Sequence, residues 1–411
     1  MRRTAIVLLA AATAASAAPT FNKDIAPILY RNCVTCHRPG EVAPFSLLTY
    51  ADASKRASLI ARVTASRYMP PWRAEPGYGD FQDARRLSDA DIATLEQWAG
   101  AGAPEGKAVG KPAPPHFTEG WQLGPPDLVV KMPEPFSVPA DGPDVYQCFV
   151  IPLGLTEDKF VSAVEIRPGN RRVLHHSIFY VDTRGTARAK DAADPAPGYR
   201  CFGGPGFRGA SSLGGWAPGP VPRLLPAGVV HPLKQASDLV IQNHYHPDGK
   251  PETDQSTLGI YFSKTPPRET VFGIPLMQRD LYIPAGEKRY RAAASFTTPI
   301  EIQAIGITPH MHLLGREMKV TATVPDGRVE PLIWIKDWNF NWQGQYRYKK
   351  AVTLPRQTRI DLEAWFDNSA DNIRNPHDPP QPVRWGEQTT DEMCIAFIQC
   401  ATPRRIDGLT V

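Results

Sequence analysis

The chain has 411 residues, of which 42% are hydrophobic and 21% charged, and its formal net charge at pH 7 is +4. This length predicts two to four domains, and so small a charge without any basic tract argues against nucleic acid as a partner. The 43 prolines and 32 glycines exclude collagen, coiled coils and long helical bundles. They favour short strands joined by loops, because proline interrupts helices and central strands.

The first 17 residues have the pattern of a bacterial-type export signal. Arg2 and Arg3 precede the apolar run 5–12, and residues 15–17 read Ala-Ser-Ala, an A-x-A cleavage site. The apolar run is too short to span a bilayer, and an uncleaved anchor is the alternative interpretation. No other segment is apolar for long enough to span. We therefore expect a periplasmic or secreted protein with no stable membrane span, in which disulfides are permitted.

Residues 18–104 carry helical signals. Apolar residues recur at helical spacing within 21–32, 51–67 and 88–98. A Pro/Gly-rich stretch follows over 105–126, and its composition predicts a linker between domains.

From about residue 127 the hydrophobic period changes to two. The candidate strands are short and are separated by Pro/Gly turns with no helical pattern between them, which is typical of antiparallel sandwiches. The run Lys-Thr-Pro-Pro-Arg at 264–268 suggests a division into one sandwich over 127–266 and another over 267–411. The predicted fold class is a small all-α domain followed by two all-β antiparallel sandwiches.

The sequence Cys33-Val-Thr-Cys36-His37 is the C-x-x-C-H pattern of covalent c-type haem attachment. The two thiols form thioethers with the haem vinyl groups, and His37 is placed to ligate the iron. A zinc half-site is the rival interpretation, but no second C-x-x-C or H-x-x-x-H pair lies within range to complete it.

The second axial ligand of such a haem is expected to be soft or an imidazole. Met69 is the methionine available between residues 18 and 131, and the two prolines after it restrict its loop. His116, in the predicted linker, is the competing candidate. With these motifs, residues 19–104 resemble the class I cytochrome c domain, and the resemblance implies three helices around one covalent haem c.

Histidines occur as pairs in the predicted β region. His310 and His312 are two apart, so they share one face of a strand and can converge on one metal. His175 and His176 are adjacent and would point to opposite faces of a regular strand. A metal held by both therefore requires a β-bulge or a twisted strand end.

A further pair, His244 and His246, lies in Gln-Asn-His-Tyr-His at 242–246. Any single histidine is more often a structural residue than a ligand, but the two pairs His175–His176 and His310–His312 in one β region favour metal binding. Imidazoles suit copper, zinc, iron or nickel, whereas a thioether added to two imidazoles indicates copper that cycles through Cu(I).

Several segments occur in the order found in one known family. They include Tyr-Gln-Cys at 146–148, Val-Leu-His-His-Ser-Ile-Phe-Tyr-Val at 173–181, Gly-Tyr-Arg-Cys at 198–201, Val-Ile-Gln-Asn-His-Tyr at 240–245, Pro-His-Met-His-Leu-Leu-Gly at 309–315 and Thr-Asp-Glu-Met-Cys at 390–394. In these, residues 127–405 resemble the copper type II, ascorbate-dependent monooxygenases, a family that includes peptidylglycine and dopamine monooxygenases.

The resemblance implies two copper ions, one in each of two jelly-roll-like sandwiches that face each other across a cleft. The copper site that handles electron transfer is matched by His175, His176 and His244. The catalytic copper site, where O₂ binds and a substrate C–H bond is broken, is matched by His310, His312 and Met393. The implied reaction takes R–H, O₂, two electrons and two protons to R–OH and water. His246 has no counterpart among these ligands.

The resemblance also implies a disulfide between Cys148 and Cys201. Cys394 and Cys400 lie six residues apart on one presumed strand, about 20 Å at ~3.3 Å per residue, so they cannot bond within a straight strand. Their pairing is left open.

The likeness to peptide-amidating members is weaker at the substrate positions. Those members have an arginine where this chain has Thr308, a tyrosine where it has Phe397 and a polar residue where it has Ile395. We therefore expect a small or apolar substrate rather than a peptide carboxyl terminus.

Taken together, the motifs predict an exported, haem-fused dicopper monooxygenase. Ascorbate or a redox protein is the expected electron donor, and we hypothesise a relay from the haem to the three-histidine copper and then to the catalytic copper. An electron-transfer or copper-binding protein without oxygenase activity is the first alternative. A binding module in which the histidines are incidental is the second.

Overall fold

The computed structural model describes residues 18–218 and 221–403, which form two compact units. The described part of the first unit comprises 18–70 and 87–116, and that of the second comprises 71–86 and 117–403. The predicted export signal, 1–17, lies outside the described residues. Among the described residues, no helix is both long enough and apolar enough to cross a membrane.

The first unit is built on short helices. A π-helical turn, Phe21–Ile25, runs into α1 (Ala26–Asn32), and α2 (Tyr50–Ser54), α3 (Ala57–Ala65) and α4 (Asp89–Gly100) follow. The Ser88 hydroxyl accepts a hydrogen bond from the Asp91 N–H and so caps α4. Phe21, Leu95 and Trp98 are fully buried in this unit.

The prediction of a small all-α cytochrome c domain over 18–104 is wrong. The helices there are 5 to 12 residues long, turns and bends occupy 33–49, and 71–86 belong to the second, mostly β unit. The chain sequence explains this, because five of the ten residues at 70–79 are proline or glycine, which break helices.

The second unit is a β structure that begins with eleven strands and one helix. These are β1 (Leu128–Lys131), β2 (Phe136–Val138), β3 (Val145–Pro152), β4 (Lys159–Arg167), β5 (Leu174–Asp182), α5 (Thr186–Ala193), β6 (Tyr199–Arg200), β7 (Ser211–Trp216), β8 (Val229–Leu233), β9 (Asp238–Tyr245), β10 (Glu252–Asp254) and β11 (Thr257–Phe262).

Ten further described strands complete it. These are β12 (Glu269–Met277), β13 (Tyr282–Ile283), β14 (Tyr290–Thr297), β15 (Ile302–His310), β16 (Gly315–Thr323), β17 (Val329–Ile335), β18 (Tyr346–Leu354), β19 (Arg359–Phe366), β20 (Val383–Arg384) and β21 (Ile395–Pro403).

Among the described residues of the second unit, two large hydrophobic cores each contain residues of two sheets. The first core contains residues of a five-stranded sheet, β6-β3-β9-β5-β7, and of the β1-β11-β4-β8 half of an eight-stranded sheet. The second contains residues of a four-stranded sheet, β14-β19-β16-β17, and of the β12-β21-β15-β18 half. Alternating burial along β4 and β19 follows the period of two that their sequences show.

One sheet serves both cores, because β8 pairs with β12 and joins the halves of the eight-stranded sheet. This pair is parallel, whereas the sequence predicts purely antiparallel sandwiches. The strands of both cores belong to one unit.

Residues 71–86 lie against the second core. Ala74 and Phe81 form isolated β-bridges with Ile335 and Tyr348, and the Trp72 ring centroid lies 5.1 Å from that of Tyr346. The apolar and aromatic side chains of this segment therefore belong to a β core rather than to a helical one.

Candidate metal centres

The first candidate centre, the three-histidine cluster, consists of His175, His176 and His244. Strands β5 and β9 are neighbours, and His176 pairs directly with His244. The register shifts between Leu174 and His176, so His175 occupies the bulge that two adjacent ligands on one side require.

The ligand atoms of the three-histidine cluster converge on a small space. The Nδ1 atom of His176 lies 3.2 Å from Nδ1 of His175 and 3.2 Å from Nδ1 of His244. Candidate ligand atoms of all three lie within 4.8 Å of one another. Three nitrogens cannot each donate to the others, so a cation that takes all three lone pairs fits this arrangement.

Burial favours the neutral, metal-binding form of these imidazoles. It lowers the pKa of His175 to about 4, and nearby His244 adds to the effect. Burial also lowers the pKa of His176 well below its usual value. Both imidazoles are therefore uncharged at neutral pH.

Side chains around His244 hold its ring. Asp144 Oδ2 lies 2.8 Å from His244 Nε2, and Thr389 donates its hydroxyl to the same oxygen at 2.9 Å. The Tyr146 ring stacks on the imidazole with centroids 4.3 Å apart. His246 contacts the other Asp144 oxygen at 2.7 Å, but its side chain is 70% exposed and lies outside the three-histidine cluster.

The second candidate centre, the two-histidine cluster, consists of His310 at the end of β15 and His312 just beyond it. Their ring centroids are 5.1 Å apart. His310 donates from Nδ1 to Gln343 Oε1 at 2.5 Å, and His312 donates from Nδ1 to the Asp391 carbonyl at 3.0 Å. Carbonyl oxygens only accept, so both rings carry their proton on Nδ1 and have the lone pair on Nε2, the candidate ligand atom.

Both rings of the two-histidine cluster are also held neutral. Burial, and secondly the proximity of the His312 ring, lowers the pKa of His310 to about 3. Burial lowers the pKa of His312 to about 4 against the opposing hydrogen bonds to the backbone of Asp391 and Gln388.

Met393 lies beside the two-histidine cluster because β15 and β21 are neighbours. His310 pairs with Ile395, two residues after Met393, and Glu392 Oε1 accepts the N–H groups of both His312 and Met393. The fully buried Glu392 carboxylate accepts the N–H groups of His312, Leu314 (2.9 Å) and Met393 (2.8 Å). One side chain therefore fixes the backbone on both sides of the two-histidine cluster. Met311, between the two histidines, is buried in the second core instead.

Phe340 contacts both clusters. Its ring centroid lies 6.2 Å from that of His175 and 5.6 Å from that of His312. An apolar ring thus occupies the space between the two candidate centres.

The residues expected to face a substrate lie on the strands that carry the two-histidine cluster. Thr308 pairs with Phe397, one step along the same face from the pair formed by His310 and Ile395. Phe397 is 44% exposed, whereas Ile395 is buried.

The C-x-x-C-H motif follows the end of α1 in the first unit. The N–H groups of Cys36 and His37 donate to the Cys33 carbonyl at 3.2 and 2.9 Å, in a tight turn. His37 donates from Nδ1 to the Phe45 carbonyl at 3.1 Å, which leaves its Nε2 free. Burial lowers the pKa of His37, and it raises that of Cys33 to about 12.

Both axial-ligand candidates belong to the same unit as the motif. Met69 is partly buried, and its N–H donates to the Val63 carbonyl at 3.0 Å. His116 is exposed.

The disulfide prediction is confirmed, since Cys148 and Cys201 are bonded. It joins β3 to the residue after β6, at the edge of the sheet that carries the three-histidine cluster. Cys394 and Cys400 are free and fully buried in the second core.

Sequence reasoning missed the side chains that hold the ligands. Asp144, Gln343 and Glu392 each bond a candidate ligand residue. Glu392 lies inside the segment Thr-Asp-Glu-Met-Cys at 390–394, and Asp144 lies two residues before Tyr-Gln-Cys at 146–148. Their sequence positions could therefore have indicated a role beside the ligands. Gln343 lies on a loop 33 residues from His310, where no pattern connects the two.

Comparisons with known proteins do not assign the chain. No protein-family model matches it, and no curated protein matches it. Similar solved structures include the VP2 subviral particle of infectious bursal disease virus, with 8% identity and a TM-score of 0.20 over 68% of this chain and 75% of that chain. The PBSX exported protein XepA has 7% identity and a TM-score of 0.18 over 58% of this chain and 86% of that one. Similarities this weak support no conclusion about the fold or function of this chain.

Proposed function

We propose that this chain is an exported monooxygenase that holds two copper ions and hydroxylates a C–H bond of a small or apolar substrate with O₂. The arrangement of two ligand sets in one unit supports the proposal most. Three Nδ1 atoms converge where His175, His176 and His244 meet, and the Nε2 lone pairs of His310 and His312 lie near Met393.

The ligand chemistry favours copper over other metals. Three imidazoles alone would also suit zinc, iron or nickel, but the Met393 thioether beside two imidazoles is a soft ligand that favours Cu(I). Copper bound by these residues would supply one-electron redox chemistry and the activation of O₂.

The chain's own residues orient the ligands and limit access of water. Gln343 and Asp391 hold His310 and His312 in the form that presents Nε2, and Glu392 fixes the backbone between those histidines and Met393. Such outer bonds determine ring orientation and ligand basicity at metal sites. Phe340 fills space between the clusters with an apolar ring, which lowers the local polarity.

The substrate class follows from the face beside the two-histidine cluster. Thr308, Ile395 and Phe397 carry no charge that could pair with a carboxylate. The half-exposed Phe397 ring offers an apolar surface. A small or apolar molecule fits this face better than an ionised peptide terminus.

The reaction also needs electrons. Hydroxylation consumes R–H, O₂, two electrons and two protons and yields R–OH and water, so a donor such as ascorbate or a redox protein must supply both electrons. We propose a covalent haem c at Cys33 and Cys36, with His37 and Met69 as axial ligands, as the entry point. The free Nε2 of His37 supports this assignment, and electrons would pass from the haem to the three-histidine cluster and on to the two-histidine cluster.

The test is an untargeted product search with isotopic oxygen. Copper-loaded full-length protein is mixed with ascorbate, ¹⁸O₂ and a library of small apolar compounds, and the products are analysed by mass spectrometry. The proposal predicts a product that contains one ¹⁸O atom from O₂. Met393→Leu should abolish it, whereas Met311→Leu, which removes a buried thioether of the second core, should not.

The main alternative is an electron-transfer or copper-binding protein without oxygenase activity. It predicts reversible copper and haem redox changes with no labelled product from any compound. It also predicts that Met393→Leu has no effect beyond a shift in reduction potential.

A further inference from the structure

Asp144 lies just before β3 and makes three side-chain hydrogen bonds with residues from different parts of the second unit. Oδ2 is 2.8 Å from His244 Nε2 and 2.9 Å from the Thr389 hydroxyl, and Oδ1 is 2.7 Å from His246 Nδ1. Its side chain is 11% exposed.

The strand pairing explains why Asp144 reaches both histidines. Strands β3 and β9 are antiparallel, with Tyr146 opposite His244 and Val145 opposite Tyr245. Residue 144 therefore lies next to the end of β9. His244 is the next-to-last residue of β9 and His246 follows its end, and both rings contact Asp144.

The bond to Oδ2 decides which nitrogen of His244 carries the proton. An ionised carboxylate only accepts hydrogen bonds, and a neutral imidazole has one donor nitrogen and one acceptor nitrogen. If Nε2 donates to Asp144, the lone pair lies on Nδ1, which is the atom 3.2 Å from His176 Nδ1. The Thr389 hydroxyl bonds the same oxygen and so fixes the carboxylate independently of the histidine.

We propose that Asp144 is a positioning residue that holds His244 in its Nε2–H form and thereby directs the His244 Nδ1 lone pair into the three-histidine cluster. The proposal rests on the proposed function only in taking that cluster to be a metal site. It adds that Thr389, from the loop that precedes Met393, anchors the side chain that prepares His244.

The direct test is the tautomer of His244 in metal-free, full-length protein. Protein labelled with ¹⁵N at histidine is examined by long-range ¹H–¹⁵N correlation, and the His244 signals are identified by their loss in His244→Gln. The proposal predicts protonated Nε2 and bare Nδ1. Protonated Nδ1 in the unmodified protein overturns it, and this result needs no variant to fold other than the one used for assignment.

Variants test the effect on metal affinity. Asp144→Leu removes the acceptor and should weaken Cu(II) binding at the three-histidine cluster by roughly 10- to 100-fold, the usual effect of losing an outer-shell partner. Asp144→Asn keeps one oxygen acceptor and should restore most of the affinity and the Nε2–H form. His246→Gln, which removes only the exposed neighbour, is the matched control and should bind Cu(II) like the unmodified protein.

Cu(II) affinity is measured by competition with a chelator, and the EPR spectrum of the bound ion reports its nitrogen ligands. Equal affinity and equal EPR spectra in Asp144→Leu and the unmodified protein overturn the proposal. Failure of the positioning role of Asp144 can be distinguished from failure of the proposed monooxygenase function. Absence of oxygenase activity leaves the tautomer prediction standing, whereas a wrong tautomer in an active dicopper protein refutes the positioning role alone.

Discussion

Glu392→Gln is the substitution whose effect follows most directly from the contacts around the two-histidine cluster. Glu392 is fully buried, and its two oxygens accept the N–H groups of His312, Leu314 and Met393. Glutamine keeps one acceptor oxygen, but its amide nitrogen has no lone pair for the N–H groups on the other side. Above the pKa of Glu392, where its carboxyl is ionised, glutamine therefore leaves one buried donor without a partner, which costs about 1–3 kcal/mol of the free energy of unfolding.

The same substitution should change how stability depends on pH. Burial raises the pKa of Glu392 to about 8 from 4.5, against the opposing backbone hydrogen bonds. The folded state therefore holds a proton that the unfolded state has lost, so this contribution to stability declines as pH rises through the folded pKa. Between about pH 6.5 and about pH 8 the linkage relation gives a loss of roughly 1.6 kcal/mol, which glutamine cannot show because it does not titrate.

The assay is urea unfolding of metal-free protein, followed by tryptophan fluorescence across that pH range. Glu301→Gln, at an exposed position just before β15, is the matched control and should stay within about 0.5 kcal/mol of the unmodified protein. A Glu392→Gln protein with unchanged stability and an unchanged pH slope would refute the role assigned to this carboxylate.

Three further predictions concern other parts of the chain. The metal-free protein should lose stability as pH falls from about 6.5 towards 4. The pKa values of His175, His310 and His312 are lowered in the folded state, so the unfolded state binds protons first, and each histidine contributes up to about 1.4 kcal/mol per pH unit. A free energy of unfolding that does not change over this pH range would contradict the prediction. A double substitution of Cys148 and Cys201 to serine removes a disulfide that spans 53 residues. It should lower the free energy of unfolding by about 4 kcal/mol, and equal urea midpoints for the oxidised protein and the variant would count against this. Met69→Leu should alter the haem absorption spectrum of the reduced protein while His116→Gln leaves it unchanged, and the reverse result would make His116 the axial ligand.

Much of the β structure was predictable because a strand that is buried on one face alternates apolar and polar residues along its sequence. The period of two along β4 and β19 appears directly in their exposure. Adjacent His175 and His176 already required a bulge, and the shifted register supplies it. The Cys148–Cys201 pairing came from a family resemblance, since spacing alone leaves the connectivity of six cysteines open.

Other features depend on contacts that sequence spacing does not encode. The segment 71–86 lies among helical signals in the chain but packs on β strands more than 200 residues away, through Ala74 with Ile335 and Phe81 with Tyr348. Helical spacing over 18–104 did not reveal that the helices end after a few turns. The parallel pairing of β8 with β12 and the bond from Gln343 to His310 likewise arise only in the folded chain.

The central claim is that this chain holds copper at two different sites, one of which includes a thioether. The most direct measurement is metal analysis of anaerobically reconstituted full-length protein together with X-ray absorption of the reduced copper. We predict two copper ions per chain with a sulfur ligand on one of them, and in Met393→Leu the sulfur contribution should disappear. Zinc in place of copper, a single copper ion, or reduced copper without any sulfur ligand would contradict the account.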